Sequence, residues 1–179
     1  IQQHALRLFA EHGFEPTTVS QIAAAAEVSE STVFRYFPTK EELVWWDDLD
    51  PEIFAVLRAQ PVGTDPVRAL RTALHDVLSR QPPQVRAALH DRVRLVLSAA
   101  PLRATLLDRF REPLRLIAAA VAEGAGRPAD DAGARALAAA LVGVGLSAMF
   151  AVADDPDADL AVLLDTLLAQ LEGAFPGLH

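Results

Sequence analysis

Cysteine is absent from the 179 residues of this sequence. Disulfide frameworks, cysteine-ligated zinc sites, iron–sulfur clusters and thiol nucleophiles are therefore excluded. Positive charge is also scarce, since 16 lysines and arginines stand against 24 aspartates and glutamates and give a formal charge of −8. Because nonspecific binding to nucleic acid scales with the number of basic contacts, this composition alone argues against a protein whose whole surface binds polyanions.

Features typical of membrane proteins and enzymes are missing as well. Charges and prolines interrupt the apolar stretches, so we expect no membrane-spanning segment. Residues 143–147 (GVGLS) form neither a nucleophile elbow nor a dinucleotide-binding loop, because no strand precedes them. The 5 histidines form no pair at metal-ligand spacing. We therefore expect no enzyme, no metal site and no cofactor.

Alternating runs of β-branched residues are absent too, and the apolar spacing is helical along nearly the whole chain. We predict an all-α protein of about nine helices, separated by breaks that contain proline or glycine. Pro113 interrupts a continuous helical pattern, which predicts a kink or a boundary there. Residues 1–46 form short helices and residues 47–179 form long ones, which predicts two domains. One helix, from about Thr39 to Ala59, runs through the boundary.

Two short capped helices follow the first helix. Thr18 and Gln21 have the spacing of a capping box, which starts the second helix. A tight turn at Val28 leads to Ser29, which is placed to cap a third helix from Glu30 to Tyr36. Two short helices joined by three or four residues form a helix-turn-helix, whose second helix enters the major groove of DNA. The side chains aimed at the bases are Glu30, Ser31, Thr32 and Arg35.

A second capping box opens the fourth helix. Thr39 is its cap, and Glu42 stands at the third helical position. The amino terminus of this helix together with Lys40 predicts a phosphate clamp that needs little net charge. Phe34 and Phe37 are assigned to the core of this region rather than to DNA contact.

The residues from Ile1 to Leu43 follow one continuous pattern. Its elements are Leu8-Phe9, Gly13-Phe14, Thr17-Thr18-Val19, Ile22-Ala23, Ala26, Val28-Ser29, Thr32-Val33-Phe34, Tyr36-Phe37 and Lys40-Glu41-Glu42-Leu43. This pattern resembles the DNA-binding domain of TetR-type bacterial transcriptional regulators. The resemblance implies an all-α homodimer that represses transcription and leaves its operator when a small molecule binds the carboxy-terminal domain.

The resemblance also assigns roles to single residues. Thr18 and Lys40 would hold phosphates, and Tyr36 would contact a phosphate or a thymine methyl group. Residues 29–32 and Arg35 would face the bases.

Some positions depart from the family pattern. Glu27 stands where the family usually has glycine, and the glycine usual at the position of Ser31 is also absent. The negatively charged carboxylate of Glu30 is unfavourable near phosphates unless it accepts a hydrogen bond from a cytosine amino group. The departures concern the turn and the depth to which the helix enters the groove.

Two helices near the carboxyl end fit dimerisation. The first carries Leu141, Gly145 and Met149 on one face, and glycine lets another helix approach closely. The last helix carries a broad leucine stripe, which consists of Leu160, Leu163, Leu164, Leu167, Leu168 and Leu171. A two-fold pair of such hairpins gives a four-helix interface. The alternative is that both helices belong to the core of a single subunit.

The resemblance further implies an effector cavity in the carboxy-terminal domain. Its candidate lining residues, each alternatively ordinary core, are Trp45, Trp46, Phe54, His75, Arg94, Phe110, Met149 and Phe150. Residues 86–115 hold seven arginines and three acids, which suits either an anionic effector or solvated helix faces. The stretch 34–41 is followed by the acidic pair Asp47-Asp48 and by residues 58–61 (RAQP), where the helical pattern ends. Together these stretches also resemble regulators of mycofactocin loci, which implies an acyl-CoA effector.

The combined hypothesis is a cytoplasmic, homodimeric repressor that binds a near-palindromic double-stranded DNA operator and is released by a small-molecule effector. The rival hypothesis is an all-α ligand- or partner-binding module that has lost DNA binding. Residues 1–46 hold three bases and six acids, so even the DNA-binding part is formally −3. Binding would then depend on a few placed groups, doubled by dimerisation, and on any basic arm that precedes Ile1.

Overall fold

The computed structural model describes residues 1–45, 49–61, 63–155 and 157–172, and these residues form helices and no strands. The helices are α1 (Gln2–His12), α2 (Val19–Ala25), α3 (Glu30–Tyr36), α4 (Glu42–Trp45), α5 (Leu49–Arg58), α6 (Pro66–Ser79), α7 (Pro83–Ser98), α8 (Ala100–Gly124), α9 (Ala132–Asp154) and α10 (Leu160–Leu171). The all-α prediction is confirmed. The helix predicted from Thr39 to Ala59 starts later, at Glu42, and its residues 46–48 lie outside the described ranges.

Helices α1 to α4 enclose a small apolar core, and we call this part of the chain the head. Ala5 and Phe9 of α1 are buried there together with Ile22 of α2 and Val33 of α3. Gly13 ends α1 with a φ of 87°, in the left-handed region that glycine adopts without strain. The sharp turn after α1 therefore follows from the residue type at this position.

The head and the rest of the chain, the body, share one apolar cluster, which we call the junction cluster. Val96 near the end of α7 and Leu102 near the start of α8 are buried in it with Phe9, Leu43 and Val44 of the head. Leu43 and Leu102 expose 0% of their surface. The head is therefore packed directly on the body.

The main core lies in the body, where α5, α6, α8, α9 and α10 pack together. An ion pair adds to the contact between α6 and α10, since the guanidinium of Arg71 donates to Asp165 at 2.5 and 3.0 Å and to Glu172 at 2.8 Å. The hydrogen bond from Arg71 lowers the pKa of the Asp165 carboxyl below its ordinary value. The pair is therefore charged at neutral pH.

Pro113 lies within α8, a helix of 25 residues that continues on both sides of the proline. Of the two predicted outcomes at Pro113, the boundary is therefore wrong, and the kink stays a prediction. Proline has no backbone N–H, so the carbonyl of Arg109, one turn earlier, lacks the hydrogen bond that a helix normally supplies.

Helix α9 contains 18 consecutive residues, 136–153, without charge or proline. The expectation that charges interrupt every long apolar stretch is wrong here, and by length and composition this helix could cross a bilayer. It packs against α7, α8 and α10. Only 28% of its 18-residue apolar stretch is buried within the subunit, and the other residues are half-buried or exposed. Part of an apolar helix therefore remains uncovered.

Candidate nucleic-acid interface and effector cavities

The two helices of the helix-turn-helix are capped as the sequence predicts. Oγ1 of Thr18 accepts a hydrogen bond from the backbone N–H of Gln21 at 3.2 Å, and the backbone N–H of Thr18 donates to Oε1 of Gln21 at 2.8 Å. Oγ of Ser29 accepts from the backbone N–H of Thr32 at 3.1 Å and lies 2.8 Å from Oγ of Ser31. These bonds fix the residues at which α2 and α3 begin.

The turn between α2 and α3 contains a strained residue. Glu27 has a φ of 56°, in the left-handed region where a side chain costs about 1–2 kcal/mol. Its N–H still donates to the carbonyl of Ala24 at 3.2 Å, and the N–H of Val28 donates to the carbonyl of Ala23 at 3.0 Å. The turn therefore closes without the glycine that is usual there.

Helix α3 exposes most of the side chains to which the sequence assigns DNA contact. Glu30, Ser31, Arg35 and Tyr36 are exposed, whereas Val33 is buried beneath them. The Arg35 guanidinium carbon lies 5.1 Å from the centroid of the Tyr36 ring, a cation–π distance that orients both side chains. These four side chains give the outer surface of α3 one cation, one acid, a serine hydroxyl and the ring of Tyr36.

The assignment of Phe34 to the core is wrong, because 46% of its surface is exposed. Phe37, in contrast, packs against the junction cluster. Val33 and Phe37 are four residues apart and define the inward stripe of α3, while Phe34 lies one position away from it. Helical spacing alone therefore places Phe34 outside the inward stripe. The prediction of a core position follows the aromatic residue type instead of this spacing.

Lys40 lies between the helix-turn-helix and the start of α4. Its ammonium Nζ donates to the carbonyl oxygens of Phe14 at 2.8 Å, Glu15 at 3.2 Å and Thr17 at 3.1 Å. It also lies 4.3 Å from the centroid of the Phe14 ring. Three carbonyls match the three N–H donors of an ammonium group. Lys40 therefore holds the connection between α1 and α2, and a phosphate would have to share or replace one of these bonds.

Oγ1 of Thr39 accepts from the backbone N–H of Glu42 at 3.3 Å, as predicted, but α4 begins at Glu42, which is therefore its first residue and not its third. The carboxylate of Glu42 is engaged elsewhere, because Arg109 of α8 donates to both of its oxygens, one of them at 3.3 Å. The acid expected to complete a local capping box therefore connects the head to the body.

The predicted effector residues are dispersed in the structure. Trp45 and Met149 pack against the junction cluster, and Phe54 packs against the main core. Phe150 is 53% exposed. These side chains do not surround a common space.

The remaining candidates are separated as well. His75 lines one cavity, between α6 and α10, and Arg94 lines a groove between α1 and α7. Phe110 is half-buried on α8, and Trp46 lies outside the described residues. Helical spacing identified apolar and polar groups on these helices but not which helices enclose a space.

Three spaces in the described part of the chain are large enough to consider. One of about 180 Å³ lies between α5, α6 and α8 and has Leu57, Leu70 and Ile117 in its wall; we call it the body cavity. The cavity that contains His75 has about 280 Å³, and the open groove that contains Arg94 has about 820 Å³. The first two are below the range of about 300–1,000 Å³ that is usual for ligand pockets. A larger ligand in the body cavity would have to move the helices apart.

Several residues predicted for the dimer interface are instead buried within the subunit. Leu141, Leu160 and Leu168 expose 4%, 7% and 1% of their surface. Their apolar partners are helices of the same chain, so these three side chains leave little surface for a second subunit, and their place in the interface stays a prediction. The other predicted interface residues are half-buried, and these are Gly145, Met149, Leu163, Leu164, Leu167 and Leu171.

Another face of α9 is exposed. At helical spacing it carries small side chains, one aromatic ring and, near its amino-terminal end, one arginine, and its residues are Ala132, Arg135, Ala136, Ala139, Gly143, Ser147 and Phe150. We call it the outer face of α9. Val162 of α10 is 62% exposed. Small residues along a helix allow the backbone of a second helix to approach closely.

Sequence comparison matches both parts of the chain to known families. Residues 1–44 match the family described as bacterial regulatory proteins, tetR family. Residues 64–176 match the family described as the MftR C-terminal domain.

Individual relatives are consistent with these matches. TcmR of Streptomyces glaucescens, an HTH-type transcriptional regulator, is 37% identical over 136 residues, which cover 72% of this chain and 60% of TcmR. The chain thus spans less than two thirds of the length of TcmR. A Mycobacterium tuberculosis protein named for mycofactocin biosynthesis regulation, MftR, is 30% identical over 162 residues, which cover 83% of this chain and 75% of that protein.

A solved structure is similar over most of the chain. It is Thermus thermophilus FadR, a TetR family transcriptional repressor in complex with lauroyl-CoA, and it is 28% identical with a TM-score of 0.57. The superposition covers 95% of this chain and 90% of FadR.

Proposed function

The chain belongs to the TetR family of DNA-binding bacterial transcriptional regulators, and we propose that it is a cytoplasmic repressor whose homodimer leaves a near-palindromic operator when an acyl-CoA effector binds. The proposal of DNA binding depends most on one observation, which is that helices α2 and α3 are both capped and expose polar and aromatic side chains. A helix of seven residues that begins at a fixed cap can insert its first turn into the major groove.

Within α3, we assign the base contacts to residues 29–32 and Arg35. Phe34 joins them, because an exposed apolar ring next to the bases can contact a thymine methyl group. Glu30 would accept from a cytosine amino group, and Tyr36 would contact a phosphate or a thymine methyl group. Since the head is formally −3, these few contacts would supply most of the selectivity.

We assign phosphate contacts to Thr18, Thr39 and Lys40. Lys40→Ala is expected to weaken binding to every duplex and to lower the slope of log Kd against log salt concentration by about one. The reason is the loss of one cation that displaces counterions from the DNA. Fluorescence anisotropy titrations of a labelled duplex at four salt concentrations measure this slope.

Arg7→Ala is the matched control, because Arg7 is an exposed base of the head that pairs with Glu11 at 3.0 Å. It removes the same charge and is expected to leave the slope unchanged. If Lys40→Ala weakened binding without changing the slope, the ammonium would only hold the carbonyls of residues 14, 15 and 17, and the phosphate assignment would be wrong.

Dimerisation is assigned to the outer face of α9. An apolar helix whose 18-residue apolar stretch is only 28% buried in its own subunit requires another cover, and the face contains Ala139, Gly143 and Phe150. A two-fold pair of α9 helices would make the same patch contact itself. Operator binding needs the resulting dimer, because each subunit supplies one head for one half-site.

The effector is assigned to the acyl-CoA class. FadR of Thermus thermophilus, which is 28% identical, has been solved in complex with lauroyl-CoA. The body cavity of this chain has an apolar wall that suits an acyl chain, and it is lined at its rim by Arg58, Gln60 and Thr64. Its volume of about 180 Å³ means that an acyl chain would have to displace α5 or α8.

Lauroyl-CoA is therefore expected to raise the operator Kd by about 5- to 150-fold, the range of typical allosteric couplings. Free CoA and laurate are the matched controls, because each carries only half of the ligand. Anisotropy titrations with each compound measure the effect. An operator Kd that stays constant at saturating lauroyl-CoA, with binding of the ligand shown by calorimetry, would contradict the proposed release.

A further inference from the structure

Among the residues that the structure describes, one ion pair joins the head to α8 at the side of the junction cluster. Arg109 Nη1 donates to Oε2 of Glu42 at 3.3 Å, and Nη2 donates to Oε1 of the same carboxylate. The guanidinium carbon of Arg109 also lies 5.5 Å from the centroid of the Trp45 ring. Glu42 and Trp45 both belong to α4 and are three residues apart. One arginine of the body thus contacts two residues of one helix of the head.

Helix α4 is also attached on its other side. Lys40, two residues before Glu42, donates to the carbonyl oxygens of residues 14, 15 and 17 in the connection between α1 and α2. A displacement of Arg109 would therefore reach the helix-turn-helix through Glu42 and Lys40. No other ion pair between the head and the body occurs among the residues that the structure describes.

Helix α8 extends from this connection to the body cavity. Its first part includes Leu102 of the junction cluster and Arg109, and its last part includes Ile117 and Val121 of the cavity wall. Pro113 lies between the two parts and cannot donate a hydrogen bond to the carbonyl of Arg109. The helix therefore lacks one backbone hydrogen bond at the residue that contacts the head.

We propose that the Arg109–Glu42 pair is the connection through which α8 sets the orientation of the DNA-binding head. The apolar contacts of the junction cluster are not directional, so they hold the head on the body without fixing its rotation. A two-pronged guanidinium–carboxylate contact is directional and does fix it. Arg109 is thus a positioning residue, and its regulatory meaning depends on the proposed function whereas its geometric role does not.

The test measures the distance between head and body directly. Because the chain has no cysteine, Ser20→Cys in α2 and Gln84→Cys in α7 introduce only two spin-label sites, and both side chains are exposed. Labelled protein is diluted with unlabelled protein, so that pulsed electron resonance reports the distance within one chain. Arg109→Gln is expected to broaden the distance distribution, and Glu42→Gln is expected to do the same from the other side.

Two matched variants distinguish positioning from general destabilisation. Arg111→Gln removes an arginine of the same helix, 83% exposed, that pairs only with its neighbour Asp108 among the ion pairs of the described chain, and it should leave the distribution narrow. The double exchange Glu42→Arg with Arg109→Glu should restore a narrow distribution. The Arg109 and Glu42 side chains are 37% and 33% exposed, so Arg109→Gln should shift the thermal midpoint by less than about 4 °C.

A second arm uses operator DNA selected from a random duplex library by the unsubstituted chain. If the pair fixes the heads, Arg109→Gln should lose discrimination between the selected operator and the same half-sites placed one base pair further apart. A distribution in Arg109→Gln as narrow as in the unsubstituted chain would overturn the proposal, and so would equal broadening by Arg111→Gln. Failure to select any operator would contradict the proposed function instead, and the distances, measured without DNA, would still decide this proposal.

Discussion

Gly143→Arg is expected to convert the dimer into a monomer and to lower operator affinity by about 10²- to 10⁴-fold, the typical gain from linking two binding modules. Gly143 lies in the middle of the outer face of α9. A Cβ atom built at this position meets nothing within 4 Å in the subunit, so the fold accepts a side chain there. In the proposed dimer the same position requires close helix approach, and a long charged side chain prevents it.

Analytical ultracentrifugation and operator titration measure the two consequences together. Gly124→Arg is the control, because Gly124 also has open space around its position but lies at the end of α8, in the lining of the body cavity. Without effector it should remain dimeric and keep its operator affinity. If Gly143→Arg stayed dimeric, the interface would lie on another face, and the half-buried leucines of α10 would be the next candidates.

Leu102→Ala is expected to lower the free energy of unfolding of the whole chain by about 2–5 kcal/mol, because it leaves a cavity in the junction cluster. Leu102 belongs to α8 and exposes 0% of its surface, and the cluster around it includes Phe9 and Leu43 of the head. The loss should appear equally in circular dichroism and in tryptophan fluorescence, since Trp45 packs against the same cluster. Urea unfolding at a fixed protein concentration provides both signals.

Leu107→Ala is the matched control on the same helix. Leu107 is 81% exposed, so its truncation should change the free energy of unfolding by about 0.5 kcal/mol or less. If both variants lost equal stability, or if the two signals gave separate transitions for Leu102→Ala, the head and the body would not share a core.

The fold of the head was predictable because its signals are local. A capping side chain and the backbone N–H that it accepts from are three residues apart, so Thr18, Ser29 and Thr39 could be identified from residue type and spacing alone. Their hydrogen bonds in the structure agree with that prediction. Pro113 is the opposite case, because a proline within a helical pattern allows either a kink or a boundary, and only the structure shows that α8 continues through it.

The body was harder to interpret because burial depends on partners that are remote in sequence. A leucine stripe indicates that a helix face is covered, but it does not indicate whether the same chain or a second subunit covers it. Leu160 and Leu168 are covered by their own subunit, while the small residues of α9 remain exposed. The bond from Arg109 to Glu42 joins positions 67 residues apart, and no local pattern indicates it. Cavities depend on the same remote contacts, which explains the dispersed effector residues.

Sequence-specific DNA binding is tested by titrating the protein against the duplex upstream of its own gene and against a scrambled duplex of equal length, at several salt concentrations. We predict that the upstream duplex binds at least about 10³-fold more tightly and that this binding weakens steeply as salt increases. Equal, weak binding to both duplexes would contradict sequence-specific DNA binding by this protein. It would favour a helical ligand- or partner-binding module that has lost DNA binding.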